Sequence, residues 1–128
     1  MRLLLDSHLL LWAALHPERL SPTARDLIAS PANDPVFSVA SLWEIGIKFA
    51  LGRQDFDYDP RILRHDLVAN GYLEMPVTAA HACAVVDLPR IHKDPFDRIL
   101  IAQSIVEGII LLTTDPIMAQ YGGLVRLI

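Results

Sequence analysis

The fold turns on Ile109-Ile110-Leu111-Leu112-Thr113-Thr114-Asp115-Pro116. The run is β-branched and apolar, with no polar alternation, so it reads as a central strand covered on both faces. Gly108 closes a helix before it, and Asp115-Pro116 opens a short helix after it. The same grammar extends in both directions along the chain. Strands are expected at Arg2–Leu5, Val36–Val39, Tyr72–Val77 and Leu124–Ile128, besides Ile109–Thr113. Helices are expected over His8–Leu15, from Ser21-Pro22 to Ala29, over Ala40–Leu51 before Gly52, and from Asp59-Pro60 to Gly71. Further helices follow from Thr78 to Val86 and from Asp94-Pro95 to Gly108. Strands that alternate with helices and are apolar throughout imply an α/β sandwich with a central parallel sheet flanked by helices. In such open sheets the site lies beyond the carboxyl ends of the strands.

The chain has 128 residues, and residues 1–128 read as a single domain in which the polar stretch Arg53–Asp59 is a loop. A hydrophobic fraction of 52% excludes a disordered chain. The lone Cys83 excludes an internal disulfide and fits a reducing compartment. Asp6 and His8 interrupt the apolar N-terminus, which argues against a signal peptide. No stretch reaches the roughly 18–20 uninterrupted apolar residues that span a bilayer, so a cytoplasmic protein with no membrane partner is expected. The net charge of −4 argues against coating nucleic acid by bulk charge. It does not argue against cutting it, because catalytic metals need carboxylates.

The acids are therefore the informative charges. Asp6 ends the first strand and Asp115 follows the strand quoted above, so both point into one crevice if those strands are neighbours. Glu44 stands inside the apolar helix Ala40–Leu51, and Asp97 in the first turn after Asp94-Pro95. Brought together unpaired, four carboxylates would raise one another's pKa. A hard divalent cation, Mg²⁺ or Mn²⁺, removes that penalty. Each acid also has a simpler role. Asp115 and Asp94 read as helix caps before proline, and Asp97 then falls at the capping-box position. Glu44 and Lys48, at i,i+4, form a pair worth about 0.2–0.5 kcal/mol. Asp34-Pro35 and Asp59-Pro60 read as punctuation only. Asp6 is the hardest to explain in this way: it interrupts an apolar run, no proline follows it, and its nearest cation in sequence is Arg2.

Four blocks carry a resemblance: Leu3-Leu4-Leu5-Asp6-Ser7-His8 with Leu11-Trp12; Ser38-Val39-Ala40-Ser41-Leu42-Trp43-Glu44-Ile45; His92-Lys93-Asp94-Pro95-Phe96-Asp97-Arg98 with Ile101-Ala102-Gln103; and Leu112-Thr113-Thr114-Asp115. In order and spacing the chain resembles the PIN-domain family, and within it the VapC-type toxins of toxin–antitoxin pairs. The resemblance covers nearly the whole chain. It implies a PIN-like three-layer sandwich and a Mg²⁺- or Mn²⁺-dependent endoribonuclease that hydrolyses RNA phosphodiesters with a metal-activated water. By position, Asp6, Glu44, Asp97 and Asp115 match the family's catalytic, metal-holding acids. Some members carry a further acid two positions after the fourth; Ile117 stands there in this chain. Asp94 belongs to its block but reads as the helix cap. The resemblance also implies a cognate antitoxin, whose tail masks the acidic site, and a homodimer.

Around this set, Ser7 and Thr114 are candidates to support the metal shell through their hydroxyls. Arg98 is the leading candidate for RNA phosphate contact, ahead of Lys48 and Lys93. Trp12, Trp43 and Phe49 fall at apolar helical positions that suit core packing, a dimer face or an antitoxin groove. The five histidines show no metal-ligand spacing. No glycine-rich phosphate loop follows any strand. Two other functions fit the same blocks: a non-catalytic PIN scaffold, which retention of all four acids opposes, and a PIN nuclease in RNA processing outside a toxin–antitoxin pair.

Overall fold

A computed structural model describes every residue from Met1 to Ile128. Five strands form one sheet: β1 (Arg2–Leu5), β2 (Asp34–Ser38), β3 (Leu73–Met75), β4 (Ile110–Thr113) and β5 (Val125–Leu127). Their order is β3-β2-β1-β4-β5, and every pairing is parallel. Seven helices cover the sheet: α1 (Ser7–Leu15), α2 (Pro22–Ala29), α3 (Val39–Ala50), α4 (Pro60–Ala69), α5 (Ala79–Ala84), α6 (Pro95–Glu107) and α7 (Pro116–Ala119).

The side-chain alternation of the strands sorts the core into two layers. Leu3, Leu5, Phe37, Ile110 and Leu112 pack with Leu9, Leu10, Ile45, Leu63 and Leu67 from α1, α3 and α4. Leu4, Val36 and Leu111 face the other way, onto Leu100, Ile101 and Ala102 of α6 and Met118 of α7. Neither face of the central strands β1, β2 and β4 meets water past their first residues, which is why these strands lack polar alternation. The edge strands β3 and β5 are partly exposed.

The outer strands are shorter than the sequence expectation, at Leu73–Met75 and Val125–Leu127, and α1 starts one residue early at Ser7. Three further boundaries differ, each for a local reason. Asp34-Pro35, read as punctuation, are instead the first residues of β2. Asp34 N–H donates to Met1 C=O on the β1 side, so Pro35 nitrogen faces the β3 side. β3 begins opposite Val36, and the missing N–H of Pro35 costs no ladder bond. Val39, assigned to that strand, starts α3, because Ser38 Oγ caps the helix by accepting from Ala40 N–H at 3.0 Å. The α5 helix stops at Ala84, and a 3₁₀ turn over Val85–Asp87 takes the place of its expected last turn.

The chain runs outward from β1 through β2 to β3, then returns to the other side of β1 for β4. The gap between the carboxyl ends of β1 and β4 is thus the switch point of the topology, where open parallel sheets form their crevice.

Candidate metal centre

Asp6 and Asp115 stand at that switch point. Asp6 follows β1, and its backbone N–H donates to Leu112 C=O of β4 at 3.1 Å. It caps α1: Oδ1 accepts from Leu9 N–H at 2.9 Å. Its Oδ2 accepts from the Thr113 hydroxyl at 2.6 Å. Thr113 Oγ1 in turn accepts from Asp115 N–H at 3.0 Å, so one buried hydroxyl ties the two acids together. Asp115 caps α7 by accepting from Ile117 N–H at 2.8 Å.

Glu44 and Asp97 reach the same cleft from helices. The cleft is lined by Asp6, Ser7, Glu44, Asp94, Asp97 and Asp115, with His8, His92 and Lys48 as its nitrogen groups. Glu44 is buried, with its Oε2 2.5 Å from Lys48 Nζ. Its Oε1 is buried with no hydrogen-bond partner. A buried carboxylate oxygen without a partner is costly unless a cation or a donor meets it. Asp94 lines the cleft as well while it caps α6, with Oδ1 accepting from Phe96 N–H at 2.8 Å.

The crowding shows in the electrostatics. Burial, reinforced by the Asp94 and Glu44 carboxylates, pushes the Asp97 carboxyl up to about 7, with His92 opposing the rise. Burial also pushes the Asp6 carboxyl up, against the hydrogen bonds from Thr113 and Leu9. Five carboxylates thus share a cleft with one lysine and two histidines, His8 and His92. An all-oxygen donor set with a surplus of negative charge and one unpaired buried oxygen fits a hard divalent cation.

The remaining sequence candidates distribute differently. Ser7 Oγ donates to Ser41 Oγ at 3.0 Å, which fastens α1 to α3 beneath the cleft. Thr114 lines the cleft, but the hydroxyl that holds the acids is that of Thr113. Arg98 does not reach out to solvent for a phosphate. Its guanidinium donates to Pro89 C=O at 2.9 Å, Val85 C=O at 3.1 Å and Tyr121 Oη at 3.1 Å, so it anchors the loop before α6. Lys48 is taken by Glu44 and also lies over the Phe56 ring at 4.4 Å.

His92 is the residue that sequence reading passed over. Its Nε2 lies 2.9 Å from Asp97 Oδ2 and 3.1 Å from Asp115 Oδ2. The three side chains offer ligand atoms within 4.8 Å of one another. No ligand spacing announces it, since its partners stand five and 23 residues away and meet it only through the sheet topology. Its place in the block that carries Asp97 was the available signal.

Outside the cleft, Trp43 is 65% exposed on α3 and packs edge-on against Phe96 at 5.1 Å. Together with Val39, Val77, Val85 and Ile99 the two rings line an apolar groove of about 660 Å³. Of the sequence alternatives for Trp43, core packing is thereby excluded. No helix is long and apolar enough to cross a membrane.

Residues 3–124 match the PIN domain family. No curated protein matches the chain. Among solved structures, the chain is similar to VapBC2 from Rickettsia felis bound to a DNA fragment from their promoter. That likeness has a TM-score of 0.71 at 12% identity and covers 99% of this chain and 98% of the other. It is also similar to VapBC-1 from nontypeable Haemophilus influenzae, with a TM-score of 0.68 at 14% identity and coverage of 99% and 98%. A toxin–antitoxin complex from Klebsiella pneumoniae gives a TM-score of 0.61 at 16% identity, with coverage of 96% and 94%. At these identities the likeness is one of fold.

Proposed function

The chain belongs to the PIN domain family, and from that premise we propose that it is a divalent-metal-dependent endoribonuclease acting as the toxin of a toxin–antitoxin pair. The observation that carries the reading is the meeting of Asp6, Glu44, Asp97 and Asp115 at the switch point of the sheet, with Glu44 Oε1 buried and unpaired. Those four acids would hold Mg²⁺ or Mn²⁺, with Asp94 as a neighbouring negative charge. When bound, the cation supplies charge neutralisation and the Lewis acidity that activates water and polarises a phosphodiester oxygen.

The protein's own residues prepare that chemistry. Asp6 is fixed by Leu9 N–H and Thr113 Oγ1, so its carboxylate cannot rotate away from the cleft. Asp115 is fixed through its cap and through Thr113. Glu44 keeps one oxygen on Lys48 and presents the other inward. Such preorganisation matters because ligands already in place need not be ordered when the substrate docks. An accessible single-stranded segment of RNA suits an open cleft at a sheet edge.

All three similar structures are described as VapBC or toxin–antitoxin complexes, which supports an antitoxin partner for this chain. The expected antitoxin segment is basic or apolar, to cover the acids. The homodimer we assign to the apolar groove around Trp43 and Phe96, since an exposed indole packed edge-on against a half-buried phenyl ring in an apolar surround marks an interaction face. Expression in a bacterium, alone and together with the neighbouring small open reading frame, tests the toxin reading. Growth arrest relieved by the neighbour is expected. Unaffected growth, with no RNA cleavage by the purified protein, would contradict it.

A further inference from the structure

His92 is held on every side. Its backbone N–H donates to Tyr121 Oη at 2.9 Å, and that same oxygen accepts from Arg98 at 3.1 Å. Arg98 is itself locked onto the carbonyls of Pro89 and Val85. The loop before α6 therefore has its backbone pinned at His92. The ring is pinned as well. Nδ1 lies 3.2 Å from Asp94 N–H, which can only donate, so Nδ1 must accept. In the neutral imidazole this assigns the proton to Nε2. That N–H donates to Asp115 Oδ2 at 3.1 Å and lies 2.9 Å from Asp97 Oδ2.

The tautomer decides what the histidine can do. Ligation of a cation through Nε2 would require the proton on Nδ1, where it would face the Asp94 N–H. Asp94 cannot turn that N–H aside, because it is the N-cap of α6 with its side chain committed to Phe96 N–H. By its place among the acids His92 looks like a ligand, whereas its hydrogen bonds make it a donor. We propose that His92 is a positioning residue that holds Asp115 by donating its Nε2–H and keeps Asp97 against the same nitrogen at 2.9 Å, and that it does so without itself ligating the cation. This rests on the metal-centre reading above. It also gives the Arg98–Tyr121 pair a role, which is to fix the backbone at His92 so that the ring stays between Asp94 N–H and the two acids. Support of this kind around metal-holding carboxylates is commonly worth 10–100-fold in affinity, so about that loss is expected here when the donor is removed.

The test uses the full chain with Mn²⁺ as the probe. Titration calorimetry of the wild type, His92→Ala and His92→Gln gives the affinities, with circular dichroism melts to establish that each variant is folded. His92→Ala is expected to bind Mn²⁺ about 10–100-fold more weakly. His92→Gln, whose amide N–H stands near the Nε2 position, is expected to recover most of the loss. Pulsed electron paramagnetic resonance of the wild-type Mn²⁺ complex is expected to lack the nitrogen coupling of a directly bound imidazole. Nitrogen-15 NMR of the metal-free protein is expected to show a protonated Nε2 and a bare Nδ1. A direct nitrogen coupling, the opposite tautomer, or unchanged Mn²⁺ affinity in a folded His92→Ala would each overturn the inference while leaving the metal centre standing. Failure of the wild type to bind Mn²⁺ at all would overturn the metal centre, and the inference with it.

Discussion

Thr113 Oγ1 donates to Asp6 Oδ2 at 2.6 Å, across 107 residues of sequence and between the carboxyl ends of two neighbouring strands. Because the same oxygen accepts from Asp115 N–H, one hydroxyl sets the spacing of both acids at the switch point. Thr113→Val keeps the shape and removes the donor and the acceptor together. It is expected to cost about 1–3 kcal/mol of stability, since two buried polar groups lose a partner. The Asp6 carboxyl, which that hydrogen bond holds down, is expected to rise further. Thr113→Ser keeps the hydroxyl and is expected to retain most of the activity. Urea denaturation beside an RNA-cleavage assay checks both variants.

Without metal, the stability of the protein is expected to fall as the pH rises from about 4 to 7. Asp97 has a folded-state pKa of about 7 against an ordinary 3.8, and Asp6 is shifted in the same direction. Over that window the folded chain holds protons that the unfolded chain has released, so raising the pH favours unfolding. The loss is complete above about 7. Saturating Mn²⁺ is expected to reverse the trend and to stabilise most above pH 7, where no proton has to be displaced from Asp97. Thermal melts across pH, in EDTA and in Mn²⁺, read both slopes. A metal-free protein that gains stability from pH 4 to 7 would contradict the account of the cleft.

Glu44→Gln replaces the unpaired buried oxygen with a neutral amide and weakens the ion pair with Lys48. Removing this charge also relieves Asp97, whose carboxyl is expected to move down toward the ordinary range. Divalent-cation affinity is expected to drop by about 100-fold or more, since losing a residue that holds the cation costs at least as much as losing one that only supports such residues. Calorimetric titration with Mg²⁺ and Mn²⁺ measures the loss.

Trp43→Glu puts a charge in the middle of the apolar groove without touching the buried core, because the indole is 65% exposed. A shift from dimer to monomer in light scattering is expected, with little change in the melting temperature. An unchanged oligomeric state would remove this groove as the dimer face.

Much of the fold was legible in the sequence because unalternating apolar strands separated by capped helices admit few arrangements. Asp6 and Asp115 could be placed together because they end strands, and Glu44 drew notice as a lone acid in an apolar helix. The parts that were not legible depend on direction rather than on type. Thr113 and Thr114 are chemically equal, and only the register of β4 against β1 turns the first of them onto Asp6. Arg98 stands beside Asp97 in sequence, yet adjacent residues on a helix diverge by about 100°, so the guanidinium serves the loop and Tyr121 instead of the cleft. His92 enters the cluster through a loop whose path is set by that same arginine. No periodicity records such a path.

The central claim is that the acids at the switch point cut RNA with a divalent cation, and purified wild type, Asp6→Asn and Glu44→Gln incubated with a single-stranded RNA in Mn²⁺ or in EDTA test it most directly. Cleavage by the wild type that requires the cation, stops in EDTA and is lost in both variants is the expected result. Cleavage that persists in EDTA, or that Asp6→Asn and Glu44→Gln leave unchanged, would contradict it.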